Sequence, residues 1–374
     1  MIMKRLLLLI SLFYALDTFS QSVLPVADHI VVVILENHAY TQIIGSPQAP
    51  TINTLASGPN AALFTQSYAI EHPSQPNYLD LYSGSNQGIT DDKVPATNPF
   101  TTANLGSQLI DAGSTFITYS EDLPSIGYNG ESSGKYVRRH NPAANWMGTG
   151  ANQIPATTNQ PFTSFPSSDF TLLPKVSFVM SNLNNIMHDG SITEGDQWIS
   201  DHLMSYIQWS KTHNSLFILT FDEDDDKLMN NHIVTILSGQ MIHAGYYSQL
   251  INHYNLLRTI EEMFGLPYAG DAVTATTITG CWIEKVIYPD ILKANMVSVT
   301  PNPAHHRLKL EISKNYLLNN VKLTFINTLG VKVKEAAIQS LTTDIDLAEL
   351  SSGIYVYQLL NGKDVLNTGK IRIE

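Results

Sequence analysis

The chain has 374 residues, 43% hydrophobic and 14% charged, which excludes wholesale disorder and allows one large core plus a smaller one. Twenty-one Lys and Arg against 33 Asp and Glu leave a formal charge of -12 without a basic patch, which argues against nucleic acid as a partner. Cys281 is the single cysteine, so no internal disulfide is available and the residue reads as a small buried apolar one.

The chain opens with MIMKRLLLLISLFYALDTFSQS: Lys4 and Arg5, an apolar run from Leu6 to Leu16, then the small residues Thr18 and Ser20. This is the plan of a secretory signal over residues 1–20, and the run is short for a bilayer. The mature chain is expected to begin near Gln21, without a transmembrane segment.

From His29 to about Pro267, apolar runs alternate with amphipathic segments, which predicts an α/β domain over residues 21–290 with a mostly parallel sheet. The runs HIVVVIL, TFITY, VSFVM, SLFILTF and HIVTIL read as strands covered on both faces. One helix is expected across DQWISDHLMSYIQW, with His202 packed on its apolar face, and another across HYNLLRTIEEMFGLP, stopped by Gly265 and Pro267. After residue 295 short alternating strands (RLKLEI, VKLTFIN, GIYVYQLL) are punctuated by NTLG, SSG and NGK, which predicts a small β-sandwich over 295–374. The acidity lies upstream of this tail, where 12 basic residues face 26 acidic ones.

In an open parallel sheet the ligand site lies beyond the carboxyl ends of the strands. There the sequence places Glu36, Asn37 and His38; Ser120, Glu121 and Asp122; Ser181, Asn182, His188 and Asp189; and Asp222 to Asp226, with His232 opening the next strand. Carboxylates gathered without Lys or Arg repel one another unless a cation neutralises them, so a divalent metal is expected: Zn, Mn, Mg or Ca. Asp222 and Glu223, abutting a strand, are the candidate ligands; Asp224 to Asp226 read as an exposed acidic loop. In EHPSQPNYLDLYSG, Ser74 is placed to cap a helix running to Gly84. The same position lies where helix amides hold phosphate and where a metal activates a hydroxyl as a nucleophile.

The stretches VVVILENHAYTQIIG, HPSQPNYLDLYSG, NNIMHDGSITEGDQWI, LTFDEDD and HYNLLRTIEEMFGLP resemble, in order, the motifs of secreted acid phosphatases and phospholipase C-type phosphoesterases of the alkaline phosphatase-like superfamily. The resemblance implies that superfamily's fold, Ser74 as nucleophile and Asn77 as an oxygen-stabilising amide. It further implies Glu36, Asn37, Ser74, Asp222 and Glu223 around the metal, with His188, Asp189 and His232 as ligands or proton donors. From YVRRHNP it implies Arg139 and His140 at the phosphate, against surface placement as the alternative. The family pattern carries an acid where this chain has Asn185. The tail motifs VTPNPAHHRLKLEI, VKLTFINTLGVKV, DIDLAELSSGIYVYQLLNGK and TGKIRIE resemble the C-terminal sorting domain of the type IX secretion system of Bacteroidota, which implies that machinery as a partner and a secreted or cell-surface destination.

The expected function is that of an exported metal-dependent phosphoesterase acting on phosphomonoesters through a phosphoserine. A phospholipase C or phosphodiesterase is the alternative enzyme, and a non-catalytic binding protein on the same scaffold is the alternative of another class.

Overall fold

In the strand His29–Leu35 (β1) the last six residues are buried, and its side chains divide by parity. Ile30, Val32 and Ile34 enter one apolar cluster; Val31, Val33 and Leu35 enter another. A strand covered on both faces has no polar side to offer, and each Val or Ile so buried contributes ~1.5–3 kcal/mol. This strand lies inside an eight-stranded sheet in a computed structural model that describes residues 24–226, 230–283, 297–312, 321–361 and 364–374. The expected signal segment, the NGK turn and the junction near residue 295 fall wholly or partly outside the described residues.

The chain divides into two compact units, Met1–Lys285 and Val286–Glu374. In the first, β1 is followed by α1 (Tyr40–Ile43), α2 (Pro50–Ala56), β2 (Ala61–Phe64), α3 (Ser74–Ser83), α4 (Leu105–Asp111) and β3 (Phe116–Ser120). A small hairpin, β4 (Ser132–Ser133) and β5 (Tyr136–Val137), leads to β6 (Asn159–Pro161), β7 (Val176–Met180), α5 (Ile192–His202) and α6 (Met204–Ser210). Then come β8 (Ser215–Phe221), β9 (Thr235–Ser238), β10 (Gly245–Tyr247) and α7 (His253–Met263).

The sheet order is β10-β2-β9-β8-β1-β7-β3-β6. Neighbours are parallel except around β9, which runs against both β2 and β8. Helices α3, α4 and α7 cover one face through Leu79, Leu105 and Leu257; α1, α2, α5 and α6 cover the other through Ile43, Leu55, Ile199 and Tyr206. The architecture is the expected α/β one, with a mostly parallel sheet between helical layers.

Local chemistry sets the helix ends. Ser191 and Glu194 form a capping box that starts α5 before the expected Asp196, and the predicted single helix breaks at Leu203 into α5 and α6. Buried Asp196 of α5 accepts the Thr51 and Ile52 amides at 2.9 and 2.8 Å, so one helix caps the start of α2. Gly84 ends α3 at φ 66°, where a Cβ would meet Ala269 O at 2.1 Å; only glycine fits there.

The second unit contains β11 (Val297–Thr300), β12 (Arg307–Ile312), β13 (Val321–Ile326), β14 (Lys332–Ala337), β15 (Thr342–Asp346), β16 (Gly353–Asn361) and β17 (Asp364–Ile373). They form sheets β11-β12-β15 and β14-β13-β16-β17, antiparallel throughout. Alternate residues such as Leu308, Leu310, Leu323, Phe325 and Leu359 fill a single core, as in a β-sandwich. At NTLG, Asn327 Oδ1 accepts the Leu329 and Val331 amides, and Gly330 takes the positive φ of the turn.

A buried acid in α7 gives the first unit a testable pH dependence. Burial pushes Glu261 from 4.5 up to about 8, against the Ala269 amide it accepts. Its Oε2 is buried without a hydrogen-bond partner. Below about pH 4.5 the group is protonated folded or unfolded; between there and about 8 only the unfolded chain releases the proton, so stability falls as pH rises. Glu261→Gln should flatten this slope, losing less Tm between pH 5 and pH 8 than the parent does. Equal slopes by thermal denaturation would show that Glu261 is not protonated in the fold.

Candidate active site

Strands β1 and β8 pair in parallel from His29 opposite Ser215 to Leu35 opposite Phe221. The next residues, Glu36 and Asp222, therefore leave the sheet side by side at its carboxyl edge, 0% and 1% exposed, and Glu223 follows at 3%. The Asn37 and Glu223 amides donate to Asp222 Oδ1 at 3.1 and 2.7 Å, and Asn37 Nδ2 donates to Glu223 Oε1 at 2.9 Å.

Ser74 comes to this cluster from the opposite side. It is the first residue of α3, 2% exposed, and its Oγ donates to Glu223 Oε1 at 3.0 Å. The expectation that Ser74 caps the helix is corrected: Pro73 occupies the cap position and Asp92 Oδ1 accepts the Gln75 amide at 3.0 Å instead. The hydroxyl is thereby left facing the carboxylates.

A nitrogen-rich wall stands beside Glu36. Its Oε1 accepts the Tyr78 hydroxyl at 2.8 Å and lies 2.7 Å from His140 Nε2, itself 3.1 Å from Arg139 Nε. Arg139 Nη2 reaches His188 Nε2 at 3.3 Å, and His188 Nδ1 lies 2.7 Å from Asp189 Oδ1. Arg139 forms no ion pair with an acid among the described residues, and its guanidinium is half-buried.

Burial dominates the electrostatics. It raises Asp222 well above the usual carboxylate range, with Glu36 and Glu223 adding to the shift, and lifts Glu223 to about 7 against the pull of His72. Burial also pushes Glu36 up, but His140, His188 and Tyr78 together hold it below its ordinary value; burial lowers the His140 imidazole.

Glu36 Oε2, Asn37 Oδ1 and Asp222 Oδ2 are buried without hydrogen-bond partners. Unpaired buried oxygens are costly, and a hard cation would satisfy all three. Among the described residues no three His, Cys, Asp or Glu side chains form a ligand set by themselves; a set at this edge would have to include the Asn37 or Ser74 oxygen.

Several expected site residues lie elsewhere or do other work. His232 is stacked between Tyr40 and Tyr68 with Nε2 3.1 Å from Thr65 O, and none of its recorded contacts is with the carboxylates. Asn77 spends its amide on the chain: Oδ1 accepts Ile70 N and Glu71 N, and Nδ2 donates to Glu71 O. Asp224, read as exposed loop, is 2% exposed and exchanges hydrogen bonds with Asn231. Glu121 is tied to Asn182 and Asn185, where it holds the loop before His188. The structure adds two residues to the site: Tyr78 donates to Glu36, and His72, two residues before Ser74, lies 2.6 Å from Glu223 Oε2.

A sequence profile of the phosphoesterase family matches residues 46–267, more than half of the chain. The chain belongs to that family. Hydrolysis of phosphate esters is thus its chemistry. A second profile, the secretion system C-terminal sorting domain, matches residues 298–374. Across 262 residues this phosphoesterase is 44% identical to phosphatidylinositol-3-phosphatase of Mycobacterium tuberculosis, covering 70% of this chain and 85% of that protein. It is 25% identical over 359 residues to a probable acid phosphatase of Kluyveromyces lactis, covering 87% and 83%. Among solved structures, an alkaline phosphatase superfamily protein from Vibrio parahaemolyticus aligns with a TM-score of 0.47 at 12% identity, over 95% of this chain and 87% of that one.

Replacement separates the loop-holding residues from the reacting ones. Asn77→Ala strips acceptors from two amides and should cost about 2–4 kcal/mol of stability, visible in Tm. His232→Phe keeps both stacked rings and should cost about 1 kcal/mol, with phosphatase activity near that of the parent. Abolished activity in a folded His232→Phe protein would return His232 to the site.

Proposed function

We propose that the protein is an exported, metal-dependent phosphatase that cleaves phosphomonoesters through a phosphoserine at Ser74. The carrying observation is the Ser74 hydroxyl, buried at a helix start and donating at 3.0 Å to the Glu223 carboxylate, which is thereby placed to take its proton. The relatives described above are named as phosphatases, which favours monoesters over diesters.

In this reading Arg139, in no ion pair with an acid among the described residues, binds the phosphoryl oxygens. Ser74 Oγ attacks phosphorus and gives its proton to Glu223 as the bond to the alcohol breaks. The alcohol departs with a proton from His188, which Asp189 orients through Nδ1. Water then attacks the phosphoserine, returning one proton to His188 while Ser74 recovers its own from Glu223, and phosphate leaves. Glu36, Asn37, Ser74, Asp222 and Glu223 would hold the divalent cation. Bound there, it neutralises the carboxylates and eases loss of the serine proton.

Ser74→Ala should fold, because no cap is lost, yet lower kcat by roughly a thousandfold or more with little change in KM. Ser74→Thr should keep part of the activity. Acid quench during turnover of p-nitrophenyl phosphate should place one phosphate on the peptide containing HPSQPNY, and chelation should abolish turnover until a divalent cation is restored. Near-parental turnover by Ser74→Ala would make water the attacking group; faster cleavage of bis-p-nitrophenyl phosphate would make the enzyme a diesterase.

Export by the type IX route rests on the C-terminal sorting domain. A chain ending at residue 290 should hydrolyse substrate in vitro yet remain inside the outer membrane of a competent host. Delivery of the shortened chain to the surface would refute the route.

A further inference from the structure

We propose that Tyr78 is a positioning residue: it selects which oxygen of Glu36 is left free for a divalent cation, and it ties that ligand to the helix that carries Ser74. The proposal rests on the metal-dependent reading above.

Tyr78 lies four residues after Ser74 in α3, so the two side chains leave one face of the helix about a turn apart. Ser74 Oγ donates to Glu223 at 3.0 Å and the Tyr78 hydroxyl donates to Glu36 at 2.8 Å. Glu36 follows β1 and Glu223 lies just beyond β8, so a single turn of α3 grips the ends of both strands. Tyr78 and Glu36 are each 0% exposed.

The two oxygens of Glu36 differ. Oε1 accepts the Tyr78 hydroxyl and lies 2.7 Å from His140 Nε2, whereas Oε2 is buried with no hydrogen-bond partner. The last torsion of a glutamate is broad and two-fold, so the side chain by itself does not choose between its oxygens. Donors gathered on Oε1 make that choice and leave Oε2 to a ligand. Asp222 is divided in the same way: Oδ1 takes the Asn37 and Glu223 amides, and Oδ2 is bare. For Asp222 the donors are backbone; for Glu36 one of them is a hydroxyl that substitution can remove.

The tyrosine ring does separate work. It stacks on His140 with centroids 5.5 Å apart and planes at 17°, so the second group on Oε1 is itself seated on Tyr78. The hydroxyl thus orients Glu36, and the ring orients His140.

The test titrates chelator-stripped protein with Mn, Zn, Mg and Ca ions in turn by calorimetry, and follows turnover of p-nitrophenyl phosphate over the same cation range. Tyr78→Phe keeps the stack and loses only the hydroxyl. It should bind the activating cation on the order of tenfold or more weakly than the parent, recover most of the parent kcat in excess cation, and keep the parent KM. Tyr78→Leu loses the stack as well, and excess cation should not restore it. In a Glu36→Gln background Tyr78→Phe should cost no further cation affinity, since the group it acts through is already altered. Melting of each stripped variant confirms its fold. Parental cation affinity in Tyr78→Phe, or lost activity that excess cation fails to recover, overturns the positioning role while the metal-dependent reading stands. A parent that takes up none of the four ions overturns that reading and the positioning role with it.

Discussion

Because β1 and β8 end at the same level, Leu35 opposite Phe221, the acids that follow them emerge in contact. No slip of this register is available. A shift of one residue would turn Ile30, Val32 and Ile34 into the layer that now holds Val31, Val33 and Leu35, exchanging every contact the strand makes with two different sets of helices. The hydrophobic pairing of two buried strands thus enforces an arrangement of carboxylates that electrostatics alone would disperse. Glu36, Asp222 and Glu223 are all under 4% exposed. The cost of burying them is borne by the apolar layers on either side.

The serine is held to this edge with comparable rigidity. All ten residues of α3 are buried. Its far end abuts residues 269–271 at Gly84, and Tyr254 of α7 donates to Asp80 at 2.9 Å. At its near end Asn77 fixes the 70–73 segment, and Gln75 fixes the 91–93 loop. Three side chains in one turn therefore divide the labour: Ser74 faces the carboxylates, while its neighbours immobilise the two loops around it.

Five of the six inner strands were legible in the sequence because burial on both faces leaves an uninterrupted apolar run, as in HIVVVIL and SLFILTF; the four-residue inner strand Ala61–Phe64, equally buried, was not. The outer strands were not. Asn159–Pro161 and Gly245–Tyr247 have three residues each and no apolar excess, so their pairing follows from their neighbours. Among site residues, Glu36, Asp222 and Glu223 could be found because position after a buried strand dictates where a side chain goes. His232 misled for a related reason: Asn230 and Asn231 both take positive φ, which delays the strand to Thr235 and turns the imidazole between two tyrosines. That turn also explains Asp224, since Asn231 folds back to satisfy it and removes it from the exposed loop. Asn77 shows a different limit. A short amide serves a substrate oxygen or the chain's own amides equally well, and only the positions of Ile70 N and Glu71 N decide between them.

A protein with a formal charge of -12 that draws in phosphate must solve that problem locally. Here the residues at the sheet edge divide into two walls. On one side lie oxygens: Asp222, Glu223 and the Asn37 carbonyl. On the other lie the nitrogens of Arg139, His140 and His188, linked in a chain from Glu36 to Asp189. A phosphate ester entering between them would be attracted by one wall and repelled by the other. The repulsion disappears only if the oxygen wall is neutralised, by protons or by a cation. In the proposed mechanism, protons would also block Glu223 from receiving the serine proton. In the reading proposed above, a cation would leave the carboxylates deprotonated while cancelling their charge, so that cation binding and anion affinity would meet one electrostatic requirement at this edge of the sheet.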